Sequence, residues 1–87
     1  MKNRVTIEDI ESEIADESYH RFDGTTVTVC LLILKNGFTV VGKSACCDVK
    51  NFDEKKGREY AREDAVNQTW TLLGFRLRDE LSKGAEP

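Results

Sequence analysis

Three cysteines, Cys30, Cys46 and Cys47, and one histidine, His20, are the residues of this chain best suited to hold a metal or attack a substrate. A zinc site wants four tetrahedral ligands, and paired thiolates on one segment are normally separated by two to four residues. Cys46 and Cys47 are adjacent, so on an extended strand their side chains point to opposite faces. His20 is far from them in sequence and sits between Tyr19 and Arg21 in a mostly polar stretch. A thiol nucleophile needs a neighbouring base, and His20 is the only imidazole that can serve. The cysteines therefore read as small, partly buried residues at the end of a strand. Gly24, Gly37, Gly42, Gly57, Gly74 and Gly84 are too dispersed for a phosphate-cradling loop. No constellation for a reaction emerges, and the expectation is a non-enzyme with no metal and no cofactor.

Basic side chains offer a second chemistry. Lys55, Lys56, Arg58 and Arg62 are the candidate nucleic-acid or anion contacts, with Arg76 and Arg78 further along. Glu54, Glu59, Glu63 and Asp64 are interleaved with the first group, a pattern closer to i,i+4 pairing on a solvated helix than to a stripe that tracks phosphates. The chain is acidic, with a formal net charge of −3. Residues 1–24 set Lys2, Arg4 and Arg21 against seven carboxylates, for a net of −4. Acidic proteins are poor general nucleic-acid binders, because binding relies on cations displacing counterions from phosphates. Trp70 offers a stacking platform, but its place among Val66, Leu73 and Leu77 favours a core role.

The elements that must position these residues come from one short chain. Its 87 residues form a single domain, 1–87, with residues 1–5 and 83–87 expected to fray. A domain of this size buries only about 60% of the surface its unfolded chain exposes, so the core is thin or is shared with a second subunit. No apolar run approaches the ~20 residues needed to cross a bilayer, and no basic start precedes an apolar signal segment. The odd cysteine count fits free thiols in a reducing compartment. The expected location is the cytoplasm, without membrane contact.

Residues 6–15, TIEDIESEIA, read as a short amphipathic helix. Thr6 is the N-cap, Asp9 imitates the capping box, and Ile7, Ile10 and Ile14 share one face. The segment from Asp16 to Gly24 is polar and reads as a connector. From Thr25 the run TTVTVCLLIL stops at Asn36-Gly37, and FTVV follows. This is an antiparallel β-hairpin, read as closing through a two-residue type I′ turn. That turn pairs Lys35 with Phe38, Ile33 with Val40 and Leu31 with Gly42. It gathers Val27, Val29, Leu31, Ile33, Phe38 and Val40 on the face toward the helix.

The opposite hairpin face then carries Leu32, Leu34 and Val41 near the turn. Two readings stand for these three: scattered surface apolar residues, which are ordinary, or a patch that a partner or another subunit covers. They are the candidate partner or oligomer surface.

After Lys50, the sequence reads as a long C-terminal helix capped by Asn51 or Asp53. Gly57, Ala61 and Ala65 recur every four residues, a stripe that allows close approach to the hairpin. Val66, Trp70, Leu73 and Leu77 extend an adjacent apolar strip, and Gly74 is read as a break. The predicted class is α+β: a short N-terminal helix, a β-hairpin, and a long helix packed on the hairpin and broken near Gly74.

The order of residues carries more than their spacing. Cys30, Asn36-Gly37-Phe38, Gly42, Ser44-Ala45-Cys46, Asn51-Phe52-Asp53, Gly57, Ala61, Ala65, Trp70, Leu72, Gly74-Phe75, Leu77 and Leu81 follow one another in a fixed sequence. In this the chain resembles a family of small tailed-phage and prophage proteins, named after gene product forty-nine of a coliphage and gene sixty-six of a Shigella phage. The resemblance spans roughly three fifths of the chain, from Val29 to Leu81. It departs from the family pattern at Leu73, where an acidic residue is commoner, and at Cys47, where the family has one cysteine fewer. The resemblance implies expression from a phage or prophage inside a bacterium, and it transfers no catalytic residues.

The leading expectation is thus a non-enzymatic phage protein that binds a host or phage protein and self-associates as a dimer or small oligomer. Nucleic-acid binding through the long helix is one alternative. Sequestration of a small ligand in a pocket between subunits, lined by Asn51, Arg58 and the hairpin, is another.

Overall fold

The computed structural model describes residues 3–84. Their order is α1 (Ile7–Glu13), β1 (Ile14–Arg21), β2 (Thr28–Leu34), β3 (Thr39–Ser44), a 3-10 turn at Val49–Asn51, and α2 (Glu54–Gly84). The strands form one antiparallel sheet in the order β1-β2-β3, and α2 lies across β2 and β3. The α+β class expected from the sequence is the class observed.

The local signals at the N-terminus act as their chemistry requires. The Thr6 hydroxyl accepts the Asp9 N–H at 3.2 Å, while the Asp9 carboxylate accepts the Thr6 N–H at 2.8 Å. Two otherwise orphaned amides are satisfied reciprocally, with Asp9 in the role usual for Glu or Gln. Ile10 is the residue of α1 that enters the core. Ile14, read as helical from its spacing, is already extended and opens β1.

The segment from Asp16 to Gly24 is not simply a connector. Residues 14–21 are an edge strand paired with β2 from Ile14↔Leu34 to Arg21↔Thr28, with an irregularity between Ile14 and Asp16. Because α2 covers β2 and β3, β1 needs little apolar surface, and only Ile14 and Tyr19 are half-buried. Its sequence therefore lacks the alternation that betrays a half-buried strand.

The hairpin forms, but one residue out of the expected register. Leu34 and Phe38 close it, with the Leu34 N–H donating to the Phe38 carbonyl at 2.8 Å. The Gly37 N–H also donates to the Leu34 carbonyl at 2.8 Å, so the loop is Lys35-Asn36-Gly37. Only Gly37 takes positive φ (87°), whereas a type I′ turn requires it at both central residues. Asn36 contributes a side-chain acceptor to the Phe38 N–H instead, at 2.9 Å. Leu32 then faces Val40 and Cys30 faces Gly42. A one-residue slip sends the other set of side chains to the core. Thr28, Cys30, Leu32, Leu34, Val40 and Gly42 lie beneath α2, and of the face expected there only Val40 is buried.

The small-residue stripe of α2 meets the sheet at β3. A Cβ on Gly42 would fall inside the Ala61 carbonyl and the Ala65 amide, so helix and strand meet backbone to backbone there. Ala61 and Ala65 are fully buried, Val66 and Leu73 join the core, and Trp70 packs against it. Asp53 caps the helix, its carboxylate accepting the Lys56 N–H at 3.2 Å. The expected break at Gly74 does not occur: α2 runs unbroken for 31 residues, through Lys83 and Gly84. A glycine costs a helix only about 1 kcal/mol, which the flanking turns outweigh. Fraying expected at residues 1–2 and 85–87 lies outside the described residues.

Candidate binding surfaces

The sheet has one covered face and one bare face. Cross-strand partners share a face, so the bare side gathers Asp16, Ser18 and His20 from β1, Val29, Leu31 and Ile33 from β2, and Thr39, Val41 and Lys43 from β3. Phe22 extends it, its N–H bonded to the Val27 carbonyl and its ring edge-on to His20 at 4.7 Å between centroids. Phe22 is 48% exposed and Val41 53%. Val29, Leu31 and Ile33 form the middle of this surface and are shielded only by neighbouring strands. An apolar stripe with a polar rim results, and α2 meets it at the β3 edge, where Gln68 and Asp64 bond the backbone of Val41 and Lys43.

Of the candidate partner residues Leu32, Leu34 and Val41, only Val41 reaches solvent. Leu32 and Leu34 are core residues, 0% and 4% exposed, because the hairpin register turns them toward α2. The apolar surface exists, but it is built from Phe22, Val29, Leu31, Ile33 and Val41. The expected register already placed Gly42 and Val40 toward the helix, where the structure has them; the three-residue loop changed only which face of β2 joins them.

The candidate basic contacts do not form one surface. Arg62 is held by two carboxylates, Glu11 of α1 at 2.8 Å and Glu17 of β1 at 3.2 Å. The hydrogen bonds that Arg62 donates to Glu11 strengthen its hold on the proton, and the same bonds keep the Glu11 carboxyl below the usual carboxylate range. Arg58 pairs with Glu54 at 3.0 Å and approaches the Tyr19 ring. Lys55, Arg58 and Arg62 line a shallow cleft beside β1 with Glu54, Glu59 and Tyr19. Lys56 projects elsewhere, into a cleft on the other side of the helix. Arg62 thus acts first as a clamp that fastens α1 and β1 to α2, and Arg76 fastens α1 again through Glu13 at 3.1 Å.

That second cleft, about 190 Å³, lies where the end of β3 meets the start of α2. Ser44, Cys46, Asn51, Phe52, Asp53 and Gly57 are among its walls, so the Ser-Ala-Cys and Asn-Phe-Asp motifs converge there. The Ser44 hydroxyl donates to the Gly57 carbonyl at 2.6 Å, and the Arg21 guanidinium stacks 4.0 Å above the Phe52 ring. Asn51 and Arg58, expected around one ligand pocket, line different clefts within a subunit.

The thiols are separated as well. Cys30 is fully buried, and burial raises the pKa of its thiol. Cys46 is half-buried with its Sγ 3.3 Å from the Asp48 carbonyl oxygen, and Cys47 is exposed. Both lie beyond β3, which ends at Ser44. Among the described residues, no three His, Cys, Asp or Glu side chains come together as a metal site. No helix among them is long and apolar enough to cross a membrane.

No curated protein and no solved structure matched the chain. A family profile did, over residues 5–81, which takes in α1, the whole sheet and nearly all of α2. The chain belongs to the Phage protein (N4 Gp49/phage Sf6 gene 66) family.

Proposed function

We propose that this phage protein is a non-enzymatic binding protein, acting in the bacterial cytoplasm through protein–protein contacts. The bare sheet face carries the reading. Phe22, Val29, Leu31, Ile33 and Val41 form a contiguous apolar strip rimmed by Asp16, His20 and Lys43, the arrangement expected of an interaction surface. The fold does not need these side chains against its own helix, which already has a complete face of the sheet. Self-association as a dimer or small oligomer belongs to the same reading, since a thin two-layer domain gains stability from burying more apolar area. The test is affinity capture from the host with wild-type protein and with Leu31→Lys and Val41→Lys in parallel. A partner that binds wild type and is lost with both variants supports the surface, whereas equal capture by all three rejects it.

A second reading, sequestration of a small ligand, has one observation in its favour. The Ser44-Ala45-Cys46 and Asn51-Phe52-Asp53 segments, distant in sequence, wall the same cleft with Lys56 at its side. Mass spectrometry of small molecules released from protein purified out of the host tests this reading. A compound released by wild type but not by Asn51→Ala supports it, and an empty extract rejects it.

A further inference from the structure

The two edges of the sheet are treated differently. The Leu34–Phe38 bond fixes even-numbered residues of β2 toward β3 and odd-numbered ones toward β1. On β3, the backbone groups of Val41 and Lys43 therefore point away from the sheet, and α2 occupies both. Gln68 donates to the Val41 carbonyl at 2.8 Å, and Asp64 accepts the Lys43 N–H at 2.9 Å. Side chains that cap an edge keep other strands from adding to it.

On β1, Asp16, Ser18 and His20 pair with Ile33, Leu31 and Val29, so the backbone groups of Glu17, Tyr19 and Arg21 point outward. The Glu17 N–H turns back to the carboxylate of Asp16 at 2.9 Å. Among the described residues, no side chain of α2 bonds the outward groups of Tyr19 or Arg21. The outward groups of Tyr19 and Arg21 thus leave the second half of β1 an uncapped edge.

The side chains on that edge also run from one sign to the other. Asp16 and Glu17 stand at its start and Arg21 at its end. Antiparallel pairing of β1 with a second β1 brings the acidic end of each against the basic end of the other. Outward groups alternate, so the pairing must join odd-numbered residues. Centred on Tyr19, it sets Tyr19 opposite its counterpart and Glu17 opposite Arg21 twice, once on each side of a two-fold axis.

We propose that the partner of this edge is a second copy of the chain, joined β1 to β1 about Tyr19 into one continuous antiparallel sheet. The pairing puts both α2 helices on one side and makes the two bare apolar faces continuous on the other. Because α2 lies over β2 and β3, it leaves the β1 edge clear for the second strand. The shallow cleft lined by Tyr19, Arg58 and Arg62 then flanks the dyad. This inference rests on the self-association proposed above and assigns its geometry.

Light scattering and amide hydrogen exchange on the full chain, from about 1 to about 200 μM, test it together. A concentration-dependent dimer is expected, in which the Tyr19 and Arg21 amides slow markedly while the outward Thr39 amide on β3 does not change. Arg21→Pro removes an outward N–H and no β1–β2 bond, and is expected to weaken the dimer about tenfold or more, equivalent to about 1.4 kcal/mol. If that variant fails to fold, the wild-type exchange pattern alone decides. A dimer whose Tyr19 and Arg21 amides stay unprotected overturns this geometry and leaves self-association standing. A monomer at every concentration overturns both.

Discussion

Gly42 of β3 and Ala61 of α2 meet without a side chain between them. A methyl group on Gly42 would occupy the space of the Ala61 carbonyl and would come within 2.9 Å of the Ala65 Cα. This contact sets the height of the helix above the sheet, and through it the depth of the core formed by Leu32, Val40 and Leu73.

Two glycines should respond oppositely to the same substitution. Gly42→Ala must push two backbones apart and is expected to cost about 1–3 kcal/mol or more, the range for overpacking. Gly74 has open space where its Cβ would be, and its helix continues on both sides. Gly74→Ala is expected to stabilise by about 0.5–1 kcal/mol. Urea midpoints at constant m-value would show the opposite signs.

Neighbouring leucines of β2 distinguish core from surface. Leu32→Ala opens a cavity beneath α2 and should cost about 2–5 kcal/mol. Leu31→Lys, on the bare face, should leave the melting temperature within a few degrees, as surface changes within about 0.5 kcal/mol do. Equal losses at both positions would contradict the observed register.

The ion pairs that clamp α1 give the protein an acid-sensitive component. Glu11 and Glu13 are held below the usual carboxylate range by hydrogen bonds from Arg62 and Arg76. A depressed native pKa stabilises the fold above the unfolded-state value, near pH 4.3 for Glu. That contribution disappears as pH falls through the lower native values. Arg62→Met and Arg76→Met should each lose about 0.5–1 kcal/mol at pH 7. They should also flatten the pH dependence of the urea midpoint below pH 5, and an unchanged slope would argue against the clamps.

Thiol titration should resolve three environments. Cys47 is exposed, Cys46 half-buried and Cys30 enclosed with a raised pKa. A disulfide reagent at pH 8 should modify Cys47 and Cys46 in the native protein and Cys30 only as fast as the protein opens. Rapid modification of all three without denaturant would mean that the sheet–helix interface is open.

The Thr28 hydroxyl is buried beside Gly57 without a hydrogen-bond partner among the described residues. Replacing it with a methyl group of similar shape removes an unsatisfied polar atom. Thr28→Val should be neutral or stabilising by about 1 kcal/mol, measured by denaturant unfolding.

The elements governed by local rules were legible in the residues themselves. Thr6 and Asp9 define the start of α1 because the capping bonds span only three residues. Gly57, Ala61 and Ala65 mark the packed stripe of α2 because helical periodicity is intrinsic to the backbone. Asn36-Gly37 marks a turn for the same kind of reason, although its length depends on one φ angle and set the register wrongly. Tertiary structure alone decided which face of β2 met α2, because both faces of TVCLLIL are apolar and only the pairing of Leu32 with Val40 across the three-residue loop separates them. It alone made a strand of Ile14–Arg21, whose polar side chains are tolerated because α2 packs on β2 and β3 and meets β1 mainly through the charged ends of Arg58 and Arg62. It also decided that Leu31 rather than Leu32 meets solvent, since burial belongs to the assembled sheet and helix and not to either segment.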